Sequence, residues 1–87
     1  MKKEEANAIV KDMNKFLAQF REMSHRAHSR IEKLAEISFA IEDKLKQKDF
    51  ADRASELFTI STEFEDKLGS LIHDYEIERN QIENEAE

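Results

Sequence analysis

Cysteine, proline and tryptophan do not occur in this 87-residue chain, and glycine occurs once, at Gly69. Without cysteine there is no disulfide to staple a small fold, no thiolate metal site and no thiol nucleophile. Without proline and with a single glycine the chain has almost no turn formers, so strands joined by tight turns and long loops are not expected. A glycine-rich phosphate loop and a strand-to-helix nucleophile elbow are excluded for the same reason. Nor is there an apolar run long enough for a signal peptide or a membrane span. The expected location is therefore the cytoplasm, with no membrane partner.

What remains is a chain with 39 % charged residues, rich in good helix formers. The formal net charge of −6 is unevenly spread. Residues 1–48 hold 11 Lys and Arg against 8 Asp and Glu, whereas residues 49–87 hold 3 against 12. A chain this short makes at most one domain, and a domain of this size buries too little surface to be comfortable alone, which points to self-association.

Apolar and small residues recur at helical spacing. In the first half they run Ile9, Met13, Phe16, Phe20, Met23, Ala27, Ile31, Leu34, Ser38, Ile41 and Leu45, alternating steps of four and three with one irregularity at Ala27. In the second half Phe50, Ala54, Leu57, Ser61, Phe64, Leu68, Leu71, Tyr75, Glu78 and Ile82 form an unbroken heptad line. Lys46-Gln47-Lys48-Asp49 is the polar interval between them, with Asp49 a suitable helix N-cap.

These patterns predict an all-α fold: one domain made of a long antiparallel two-helix hairpin, with helices over about 4–46 and 50–84 and a turn at 46–49. The expected register pairs positions whose numbers sum to 98 or 99, such as Ile41 with Leu57, Leu34 with Phe64 and Met23 with Tyr75. Gly69 then lies opposite the irregularity at Ala27, where a bend or close approach is expected. The alternative is a three-helix bundle broken near Ser29, because Ser29-Arg30-Ile31-Glu32 has the form of a capping box. Further apolar residues off the lines, among them Phe39, Phe58, Ile60 and Ile72, widen the apolar arc beyond what one helix covers. Dimerisation into a four-helix bundle follows as an expectation.

The chemistry-bearing residues do not converge. Glu22 and His25 have the Glu-x-x-His spacing of di-iron bundles but lie well away from the apolar stripe, and the surface trio His25, His28 and Glu32 makes at best a weak metal site. No enzyme activity, cofactor or metal is expected. The function expected instead is a non-catalytic protein–protein interaction module, an adaptor, small chaperone or inhibitor acting through helix faces. Its candidate contact residues are Phe39, Phe58, Ile60, Ile72, Glu63, Asp66 and Asp74, and its partners a second copy of itself and another protein. One alternative is an inhibitor whose acidic second helix occupies the basic, nucleic-acid-binding groove of a partner. Another is a Rop-like bundle holding RNA or DNA phosphates with Arg21, Arg26, Arg30 and Lys33. The resemblance to Rop-type hairpins is one of shape, no aromatic residue interleaves with the basic set, and the net charge opposes direct nucleic-acid binding.

Overall fold

The computed structural model describes residues 2–85 and consists of α1 (Lys3–Leu45) and α2 (Lys48–Glu85), with no strand among the described residues. The helices lie antiparallel in a rod of 63 × 15 × 12 Å, the length expected for 43 residues at a rise of about 1.5 Å each. The helical hairpin read from the pattern is therefore present.

α1 runs unbroken through Ser29. The Ser29 hydroxyl does not cap a new helix; it donates to the His25 carbonyl one turn back at 3.3 Å, the bond a serine makes inside a continuous helix. The three-helix alternative fails on that contact. Lys46 ends α1 in the left-handed region, at φ 55°, and its N–H closes onto the Ile41 carbonyl. Gln47 N–H reaches the same oxygen at 3.3 Å. α2 starts at once, Ala51 N–H donating to the Gln47 carbonyl at 3.0 Å. The turn is thus two residues, Lys46 and Gln47, rather than 46–49. Asp49 sits inside the first turn of α2 instead of capping it, where its charge still suits the helix N-terminus.

The shorter turn moves the register. Contacts across the hairpin join Ser38 to Ser55, His28 to Glu65, Asn14 to Arg79, Phe20 to Tyr75 and Arg21 to Glu76, pairs whose numbers sum to between 93 and 97. The expected pairs of Ile41 with Leu57, Leu34 with Phe64 and Met23 with Tyr75 are wrong, and Met23, Leu57 and Phe64 are exposed. Gly69 makes no close approach, since a methyl group built on it meets nothing within 4 Å.

The seam itself is also different. On α1 the residues that are buried or half-buried in regular sequence are Ala6, Val10, Met13, Leu17, Phe20, Ser24, Ala27, Ile31, Leu34, Ser38 and Ile41. They step four and three without interruption, so there is no irregularity at Ala27. It arose from taking Ile9, Phe16 and Met23 in place of their neighbours Val10, Leu17 and Ser24. On α2 the seam is Ala51, Ala54, Phe58, Ser61, Glu65, Leu68, Ile72, Tyr75, Arg79 and Ile82. Phe58 and Ile72 belong to this seam rather than to an outer face, and Glu78 is exposed while Arg79 takes the seam position.

Small residues explain the choice near the turn. The Ser38 hydroxyl reaches the Ala51 carbonyl of the other helix at 3.1 Å and lies 2.8 Å from the Ser55 hydroxyl, distances open only to backbones that approach closely. Ala51, Ala54 and Ser61 allow that approach, and a two-residue turn enforces it. Towards the chain ends larger residues take over: Leu17 is fully buried, and Phe20 meets Tyr75 edge to face with ring centroids 6.2 Å apart.

Candidate interaction surface

The seam divides the rod into two long flanks of opposite character. In heptad terms the seam occupies the a and d positions, and antiparallel packing brings the e positions of both helices to one side and the g positions to the other.

The e side is polar and cross-linked. Arg21 donates to Glu76 at 3.0 Å, Arg79 reaches across the seam to Asn14 at 2.9 Å, and His28 lies 3.3 Å from Glu65 through Nδ1 and 3.0 Å from Glu32 through Nε2. A shallow, open groove runs along it past His28, Glu65, Gly69 and His73. It holds no group of three or more residues placed to bind a metal ion among the described residues. His25 is exposed, and the neighbouring Glu22 is engaged by Arg26 at 2.7 Å.

The g side is apolar and open. α1 places Ile9, Phe16, Met23 and Ile37 there; α2 places Phe50, Leu57, Phe64 and Leu71. All eight are exposed, over 38 % to 58 % of their area. Ile60 adjoins them, and a shallow depression between the helices is walled by Ala27, Arg30, Ile60 and Phe64. The Arg53 guanidinium lies 5.9 Å from the centre of the Phe50 ring at the turn end. All of the eight but Ile37 are residues that the periodicity places in the seam. Each helix carries an apolar arc about three positions wide, the hairpin covers the a and d part of it, and the g part, bulkier on α2, stays outside.

The other contact residues inferred from sequence scatter. Phe39 is exposed on the polar side of the rod, bordering small clefts shared with Phe58 and with Lys46. Glu63, Asp66 and Asp74 are exposed on α2. The four basic candidates do not form one face either. Arg21 and Arg26 pair with Glu76 and Glu22, Lys33 lies 3.5 Å from Glu36 of its own helix, and Arg30 stands in the apolar flank. Lys33 thus pairs within α1.

The apolar flank was missed as a surface because Ile9, Phe16, Leu57 and Phe64 read as core. The signal that could have separated the two was the volume next to the turn, where Ala51 is small enough for the helices to close on one another and its neighbour Phe50 is not. No known protein-family model, curated protein or solved structure matches the chain. No helix is long and apolar enough to cross a membrane.

Proposed function

We propose that the chain is a non-catalytic protein–protein interaction module, of the adaptor, small chaperone or inhibitor kind, that works through its helix faces. The observation that carries this reading is the apolar flank, a line of large side chains running along both helices at regular heptad spacing. A contiguous apolar strip is costly to leave in water and is the shape that another helix or helix pair fits.

A flank variant tests it. Phe64→Glu places a carboxylate in the middle of the strip without touching the seam. Association of the chain with any protein, itself included, is expected to weaken at least tenfold, with helical content retained. Unchanged association of the variant would remove the flank from the function.

The second reading, an acidic α2 docking into a basic groove, is favoured by the exposure of Glu63, Asp66 and Asp74 on a helix of strong negative charge. Its signature is binding that falls steeply with added salt. The Rop-like reading loses support from the ion pairs, because Arg21, Arg26 and Lys33 already face carboxylates of this chain.

A further inference from the structure

Granted that the apolar flank is an association surface, we infer that its occupant is a single amphipathic helix of another protein, seated in the groove between α1 and α2. That helix carries basic residues beside the chain ends and acidic residues beside the turn. The contacts across the seam join residues whose numbers sum to between 93 and 97, so the flank residues of the two helices stand in successive rows. From the chain ends to the turn the rows are Ile9 with Glu85, Phe16 with Glu78, Met23 with Leu71, Arg30 with Phe64, Ile37 with Leu57 and Lys44 with Phe50.

Every row holds at least one large apolar side chain, but the helix that supplies it changes. Next to the chain ends α1 supplies Ile9 and Phe16 while α2 supplies carboxylates; towards the turn α2 supplies Phe64 and Phe50 while α1 supplies cations. The apolar path therefore crosses from α1 to α2 along the rod. A helix stacked on α1 alone would lie over Arg30 and Lys44, and one stacked on α2 alone over Glu78 and Glu85. The axes of a packed helix pair stand only about 8–10 Å apart, so a helix seated between them touches both lines and meets an apolar residue in every row. Midway along the groove, the shallow depression walled by Arg30 and Phe64 has the small residues Ala27 and Ser61 beside it, and there a large side chain of the occupant can seat.

The same rows fix the charge of the occupant. Arg30, Lys44, Glu78 and Glu85 are exposed, and none of them is in an ion pair among the described residues, unlike Arg21 and Glu76 on the opposite flank. A helix that covers the groove brings its edges against them. Lys or Arg then belongs beside Glu78 and Glu85, and Asp or Glu beside Arg30 and Lys44. A second copy of the chain does not meet this requirement in either two-fold arrangement. With the turns together, Phe16 is set on Glu78 and Ile9 on Glu85 of the other copy; with the rods reversed, Leu57 is set on Glu78 and Phe50 on Glu85. Either way two carboxylates of each copy are pressed onto large apolar side chains.

The experiment uses the full chain and two labelled peptides of about 35 residues, the length that spans the rows at about 1.5 Å per residue. Both have the same leucine stripe at heptad spacing. One carries Lys along both edges of one half and Glu along both edges of the other half; the second carries Glu throughout. By fluorescence anisotropy the chain is expected to bind the mixed peptide at least tenfold more tightly than the all-Glu peptide. Glu78→Lys combined with Glu85→Lys makes all four flank charges basic, and it is expected to reverse that preference with helical content unchanged. A preference that the double variant leaves as it was, or binding of neither peptide, would overturn the charge-matched helix. So would a dimer of the unmodified chain that Phe64→Glu dissociates, because a second copy would then fill the flank. The interaction-module reading survives these outcomes as long as some association of the chain depends on Phe64, and falls if none does.

Discussion

The two flanks of this hairpin are built from the same helices at the same heptad spacing, yet one is finished and the other is not. On the polar flank, Arg21, His28 and Asn14 meet Glu76, Glu65 and Arg79, so side chains of α1 find partners on α2. On the apolar flank Phe16, Met23, Leu57 and Phe64 meet mainly solvent. A polar flank can be complete in a two-helix rod because water satisfies whatever the protein does not. An apolar flank has no such recourse. The side chains of one flank are satisfied within the hairpin and by water, and those of the other are not.

Substitutions can break or sharpen that contrast. The largest effect is expected in the seam that both flanks share: Leu17→Ala empties the fully buried position and should cost about 2–5 kcal/mol, read as a lower thermal midpoint by circular dichroism. Next comes the apolar flank, where Phe64→Glu should raise the dissociation constant of its association with other chains at least tenfold while the helices persist at high concentration. Had Phe64 been a seam residue, the same change would instead unfold the chain, so the readout distinguishes the two placements directly.

Effects on the polar flank should be small and of either sign. Gly69→Ala should stabilise by about 0.5–1 kcal/mol, because the added methyl meets open space and a helix interior prefers alanine. Denaturant midpoints check this, and a loss of stability would mean that the groove beside His28 is tighter than its geometry. Arg21→Ala removes a solvent-exposed ion pair and should change stability by no more than about 0.5 kcal/mol, less at high salt. An effect as large as that of Phe64→Glu on assembly would erase the contrast between the flanks.

The positions at which reading the chain as a sequence succeeded and failed share a physical cause. Helix content, the two-helix division and the turn near Lys46 follow from local properties: helix formers throughout, period near 3.5, and one polar interval. The Arg21–Glu76 contact was also legible, because Glu76 is near Arg21 in either register. The seam was not, since for each helix taken alone the heaviest apolar line, through Phe50, Leu57, Phe64 and Leu71, is the natural one to bury. Phe58 and Ile72 were accordingly assigned outward, and Phe64 and Met23 inward. The basic set Arg21, Arg26, Arg30 and Lys33 looked like one patch only because the residues are close in sequence; on the helix they point in different directions.

The chain by itself determines that there are two long amphipathic helices and that each has an apolar arc wider than one partner covers. Both are properties of composition and period, which act within a few residues. Only the tertiary structure decides which part of each arc is spent inside the hairpin. That choice is made by contacts distant in sequence: the left-handed Lys46 shortens the turn to two residues, and Ser38 closing on Ala51 and Ser55 draws the small-residue line inward. The bulky line is left facing outward, because one helix can cover only one side of its neighbour.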